Sequence, residues 1–161
     1  MTTIVVFTDG SFMNKKTGPI SGYAVHFPNK EIPDVSRPFR HKPITSQRAE
    51  LYAIYVALLK IIKYKKFDKI EIYTDSEYSL KSLTIWIHNW VQNNWKGSTK
   101  KPVKNRDILE KIYNIMQRYK NKIDFHHVKS HTDGKDYNSI HNAIADQLAT
   151  AGAYKPAKLV G

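Results

Sequence analysis

The chain has 161 residues, with 26 Lys and Arg against 14 Asp and Glu, a formal net charge of +12. A hydrophobic share of 41% and an aromatic share of 12% exclude a disordered basic tail, and the length suits one domain, residues 1–161, with a buried core. The absence of cysteine excludes disulfides and thiolate metal sites, and the longest apolar stretch, Leu51 to Ile62, is broken by Lys60 and too short to span a bilayer.

The start, MTTIVVFTDG, lacks the basic and long apolar regions of a secretory signal and runs straight into a strand pattern. A cytoplasmic or otherwise intracellular protein with no membrane partner is expected, and no separate N-terminal module. The charge points to polyanions, because displacing counterions from phosphates favours association. A merely soluble lysine-rich surface is the plainer alternative, since 21 of the basic residues are Lys.

In chain order, residues 3–9 (TIVVFTD) and 22–28 (GYAVHFP) read as two antiparallel strands around a Gly/Pro-containing turn. A poorer third strand within 31–41, interrupted by Pro33 and Pro38, suits an edge. Leu51, Ile54, Tyr55, Leu58, Ile61 and Ile62 recur at helical spacing, which predicts a helix over 46–64 capped by Thr45 or Ser46. Residues 69–75 (KIEIYTD) alternate with period two and form a parallel strand after the helix. Helical segments from Ser76 to about Val91, an irregular basic stretch over 92–104, a helix near 106–120, a strand at 122–129 and a final helix near 139–153 complete the pattern. The expected fold class is α/β, a five-stranded mixed sheet with helices on both faces.

Four acids stand out. Asp9 ends the first strand before Gly10-Ser11, and Asp75 ends the fourth before Ser76. Functional groups of open α/β sheets gather at such strand ends, although each Asp alone reads as a turn or helix cap. Glu50 is expected in the first turn of the long helix, where the helix dipole alone explains a Glu. Asp146 lies on the last helix, away from the centre of the expected inward stripe of Ile140, Ala143, Ile144, Gln147, Leu148 and Ala151. By itself it reads as a solvated Asp. Gathered together, four carboxylates repel unless cations fill the site, and paired hard divalent ions suit phosphodiester hydrolysis.

The motifs TDGS (8–11), TSQRAEL (45–51), TDSEY (74–78), VKSHTD (128–133) and NAIADQLA (142–149) resemble, in order and spacing, those of the type 1 ribonuclease H family. TIWIHNWVQNNW through KKPVKN (84–105) resembles the basic protrusion of its bacterial members. The resemblance implies a ribonuclease H-like fold and a monomeric, Mg²⁺-dependent endonuclease, two ions per site with Mn²⁺ as an alternative. Such an enzyme cuts the RNA strand of RNA–DNA hybrids to 5′-phosphate and 3′-hydroxyl ends. It further implies that Asp9 bridges both metals, that Asp146 helps hold the metal activating the attacking water, and that Glu50 and Asp75 hold the other. His131 resembles the family's mobile histidine, a proton-transfer or product-release group. The residue-level alternatives are a surface loop histidine or an H-x3-H zinc pair with His127, the latter disfavoured without a third spaced ligand.

Residues 78–106 contain all three tryptophans, six basic residues and no acid. Trp86 and Trp90, four apart, share a helix face, either as core or as a platform for a nucleic-acid strand flanked by Lys96, Lys100, Lys101 and Lys104. The resemblance implies a DNA-phosphate pocket at Thr45 and Asn105. Candidates for sensing 2′-hydroxyls are Gly10, Ser11, Asn14, Ser46 and Gln47. Ser46 replaces a common amide, Glu77 a common neutral side chain, and the turn 12–17 (FMNKKT) lacks the usual Gly and Pro. The competing readings are a DNA-cutting nuclease on the same fold and a non-catalytic hybrid- or double-stranded-RNA-binding protein, which four acids disfavour.

Overall fold

Alternating β-branched and aromatic residues draw Thr3–Lys15 (β1) and Gly18–His26 (β2) into an antiparallel hairpin, in a computed structural model that describes residues 1–129 and 135–156. Both strands depart from the apolar runs that predicted them. Pairing carries on through polar Ser11 to Lys15, because a hairpin extends while its backbone groups find partners, whatever its side chains face. Only Val35–Pro38 (β3) of the expected third strand pairs, at the sheet edge. Helix α1 spans Ser46–Tyr64, as its periodicity predicts, with Thr45 Oγ1 accepting from Arg48 N–H at its start.

Lys69–Thr74 (β4) and Ile123–His127 (β5) lie parallel, giving a five-stranded sheet in the order β3-β2-β1-β4-β5 with β4 parallel to β1. Ile4 and Val6 of β1, with Tyr23, Val25 and Phe27 of β2, belong to the main core around α1. Helix α4 (Arg106–Arg118) adds Ile108, Leu109 and Ile112 to it. On the opposite face Phe7 packs with Val128, Val5, Tyr73 and Ala145 of the last helix, α5 (Tyr137–Gly152).

Between β4 and α4, Ser76 caps a short α2 (Glu77–Lys81). The chain then widens into a π turn, Ser82–Trp86, before α3 (Ile87–Gln92). The following basic stretch is more ordered than its composition predicts. Lys96 pairs with Pro102, Gly97 N–H donates to Lys101 O at 2.8 Å, and Val103 N–H donates to Trp95 O at 2.9 Å.

Helix α5 departs most from expectation. Its inward residues are Ser139, Asn142, Ala145, Ala149 and Gly152, whereas Ile140 of the expected apolar stripe is 44% exposed. Small side chains let the helix backbone approach the sheet. A Cβ on Gly22 would collide with Ala149 O and Ala153 N. The contact is sealed by Ser11 Oγ donating to Ala149 O and Ser36 Oγ donating to Leu148 O, at 2.9 and 2.6 Å. Apolar volume was the wrong signal here, because contact distance and backbone hydrogen bonds decide this face.

The N-terminal half of α5 is held differently. His26 Nδ1 lies 2.7 Å from Asp34 Oδ2, and His26 Nε2 lies 2.8 Å from His141 Nδ1. Burial, then the His26 charge, pushes the His141 imidazole below its ordinary value. The unfolded chain therefore takes up this proton first, and the stability that neutral His141 confers is lost as pH falls through about 6.5. Replacing the group with a non-titrating one, His141→Gln, is expected to shrink the fall in Tm between about pH 7.5 and about pH 5.5. Equal falls in parent and variant would remove the pair from the acid sensitivity of the fold.

Candidate active site

Asp9 sits where β1 loses its parallel neighbour. The β1–β4 rungs end at Thr8 opposite Thr74, while β1 continues against β2 to Lys15. Asp9 thus ends the strand only on its β4 side. Asp75 is the first residue beyond β4, and both acids follow a buried threonine.

Glu50 is not in the first turn of α1, which contains no acid; it is buried one turn further on. Its Oε1 accepts from Gly10 N–H at 2.7 Å, and the same N–H donates to Asp9 Oδ1 at 2.9 Å. A Cβ on Gly10 would fall 2.6 Å from Glu50 N and 2.7 Å from Ala49 C. Glycine is what lets α1 come this close, so that one backbone donor binds acids from a strand and a helix. A carboxylate oxygen from each of Asp9, Glu50 and Asp75 lies within 4.8 Å of the others.

Asp146, exposed on α5 beside the buried Ala145, joins them from the rim. Its proximity raises the proton affinity of Asp9, and its charge that of Glu50 and Asp75. The side chain of the buried Asn142, one turn earlier, favours the charged form of Asp75. Close packing of α5 is therefore what delivers both side chains.

Burial is the first cause, and neighbouring acids a further one, that push Asp9, Glu50 and Asp75 above the usual carboxylate range. Asp9 Oδ2 and Glu50 Oε2 are buried with no hydrogen-bond partner. Like charges, an all-oxygen donor set and two orphaned oxygens fit a hard divalent cation.

Around this centre, Ser46 and Gln47 are exposed at the start of α1 and Asn14 on the β1–β2 hairpin. The Ser11 hydroxyl is committed to the protein, donating to Ala149 O and accepting from Gly22 N–H at 3.1 Å. Thr45, Gln47, Lys104 and Asn105 line one cavity of about 580 Å³. Arg48, buried in its wall, makes two hydrogen bonds to Asp107, at 2.7 and 2.8 Å. The Arg48 guanidinium holds the Asp107 carboxyl below the usual carboxylate range. Asn105 also donates to Tyr78 Oη at 2.8 Å.

Trp86 and Trp90 stand 5.9 Å apart between ring centroids, and Trp86 is 38% exposed. With Lys96 they line a second hollow of about 390 Å³. Trp95 is instead a core residue, covered by Arg106 at 5.4 Å. Lys100 and Lys101 are exposed in the hairpin beyond, and His131 falls outside the described residues.

Asn142 and Arg48 escape a reading by residue type. The available signal is their position: each is a polar residue on the buried side of a helix that, Glu50 aside, buries small or apolar groups.

The family model described as RNase H matches residues 1–154. The chain is 40% identical over 149 residues to a probable ribonuclease H of Acanthamoeba polyphaga mimivirus, covering 90% of this chain and 63% of that protein. It is 37% identical over 150 residues to a ribonuclease H of Schizosaccharomyces pombe, covering 92% of this chain and 52% of that one. It therefore spans between about half and two thirds of the length of these curated relatives. Among solved structures, the PFV RNase H domain superposes with a TM-score of 0.77 at 26% identity, covering 94% of both chains.

Proposed function

The chain belongs to the RNase H family, and from that premise we propose that it is an endonuclease hydrolysing the RNA strand of RNA–DNA hybrids to 5′-phosphate and 3′-hydroxyl ends. Residues 1–161 act as one domain and as a monomer, with the basic segment 84–105 as its substrate-holding protrusion. The observation that carries the reading is the convergence of Asp9, Glu50 and Asp75 within 4.8 Å, with two buried oxygens left unpartnered. Asp9, Glu50, Asp75 and Asp146 would hold two divalent cations, Mg²⁺ or Mn²⁺, whose positive charge and Lewis acidity favour attack of water on a phosphodiester.

The chain's own groups prepare that chemistry. Gly10 N–H fixes the Asp9 and Glu50 carboxylates together, so two donor oxygens are oriented before substrate arrives, and Asn142 favours the charged form of Asp75. Asp146, at the exposed rim, is the acid nearest bulk water and the natural neighbour of an incoming nucleophile. His131 shuttles a proton or assists release of product, a role suited to a group that titrates near neutrality. Gly10, Asn14, Ser46 and Gln47 sense 2′-hydroxyls, and Ser11 does so through its backbone, since its hydroxyl is occupied. Thr45 and Asn105 grip a phosphate of the DNA strand. Trp86 and Trp90 pack against its sugars, with Lys96, Lys100, Lys101 and Lys104 supplying backbone charge.

Matched RNA–DNA, RNA–RNA and DNA–DNA duplexes, incubated with Mg²⁺, Mn²⁺ or chelator, test the reading directly. Cleavage confined to the RNA of the hybrid and stopped by chelator is expected. Efficient DNA–DNA cutting, or hybrid cutting in chelator, would replace it with another nuclease chemistry.

A further inference from the structure

A second concave site is lined by residues of β2, β3 and α1, and none of the four acids lines it. Tyr23 and Tyr52 meet edge to face, with ring centroids 5.0 Å apart, and the His41 ring lies 4.5 Å from Tyr52 at a 36° tilt. These three rings wall a cavity of about 500 Å³ whose mouth carries Arg37, Arg40 and Lys155, with no Asp or Glu in its lining. Among the described residues none of those three cations takes part in an ion pair. Arg37 lies beside the buried Tyr23 and favours the charged form of its hydroxyl. Three cations without acidic partners beside aromatic walls suit an anionic, flat-faced ligand.

The position of the cavity identifies the ligand. It shares Pro38 and Arg40 with a neighbouring hollow, and that hollow shares Lys42 with the Thr45–Asn105 cavity beside the start of α1. Arg40 and Lys42 thus lie between the candidate hybrid-binding surface and the tyrosines. Duplex bases are stacked on one another and offer no face to such a box; unpaired bases do.

Building on the hybrid-nuclease reading, we propose that the Tyr23–Tyr52 cavity binds a single-stranded extension of the nucleic-acid substrate. One base rests against Tyr52 and His41, and its phosphates meet Arg37, Arg40 and Lys155. The enzyme on this account holds hybrids with an unpaired tail more tightly than blunt ones, without using any group of the catalytic centre.

The test compares blunt and tailed hybrids of equal duplex length, by KM for cleavage and by fluorescence anisotropy in chelator. The parent protein is expected to favour the tailed hybrid by about tenfold, the range of one stacked base with its phosphates. Arg40→Ala/Lys155→Ala should erase that preference and flatten the salt slope of tailed binding by up to about 1.4, at roughly 0.7 per single-strand phosphate. Its kcat on the blunt hybrid should stay unchanged. Free oligothymidylate should compete for the tail preference, and inorganic phosphate at equal phosphate concentration should not. Absence of a tail preference in the parent, its survival in the double variant, or equal competition by phosphate would each overturn the proposal. Failure of the parent to cut the blunt hybrid would instead overturn the nuclease reading on which it rests.

Discussion

Asp9→Asn is expected to lower hydrolysis of hybrid RNA by at least about 10³-fold, while making the chelator-treated protein more stable, with Tm raised by about 3–6 °C. The two effects come from the same charge. Burial and the proximity of Glu50 raise the proton affinity of Asp9 in the folded state above its unfolded value. The folded chain therefore holds the proton to higher pH, and stability declines as pH rises from about 4 toward neutrality. An amide carries no charge and still offers an oxygen to Gly10 N–H, which now donates to Asp9 Oδ1 at 2.9 Å. Excess Mg²⁺ should raise the parent's Tm and move the variant's much less, since binding to the folded state alone stabilises by mass action. Hydrolysis left intact, or a variant no more stable than the parent in chelator, would show that Asp9 is not the repulsive centre of the cluster.

Gly22→Ala is expected to cost about 3 kcal/mol of stability, a Tm drop of roughly 6–12 °C, and most of the activity with it. The added methyl meets Ala149 O and Ala153 N, both backbone atoms of the α5 end, so no rotamer change relieves it. Helix α5 must retreat, which lengthens the bonds from Ser11 and Ser36 and draws Asn142 and Asp146 away from Asp75 and Asp9. Thermal denaturation together with kcat separates this from a local effect. A variant with lowered Tm but parental kcat at low temperature would mean that α5 position does not control the site.

Both expectations bear on what the amino-acid order disclosed. The sheet and α1 were legible because their periodicity and burial agree: Leu51, Ile54, Leu58 and Ile61 recur helically and are fully buried. The four acids were legible as a set because each stands inside a motif. Geometry was not. Glu50 reads as a first-turn residue, yet it lies beyond that turn and its carboxylate is tied to a strand residue forty positions earlier. Asp146 was placed relative to an apolar stripe that the helix does not use, since Ala145, Ala149 and Gly152 face the sheet instead. Hydrophobicity scales weigh side chains by area and give no weight to the benefit of having almost none. The supports Asn142 and Arg48 were invisible for a related reason: their value lies in a single partner distant in sequence.

The π turn at Ser82–Trp86 sets the bearing of the tryptophan pair. Its closing bond runs from Ile87 N–H to Ser82 O, five residues back, one more than an α-turn spans. An α-helix advances about 100° per residue, so a wider turn retards everything after it in angle. Trp86 and Trp90 come out beside Tyr78, whose ring lies 6.3 Å from that of Trp86, while Leu83 and Ile87 remain in the core. The compass heading of the aromatic platform is written in the spacing of one backbone hydrogen bond, closed between Ser82 and Ile87, neither of which is a platform side chain.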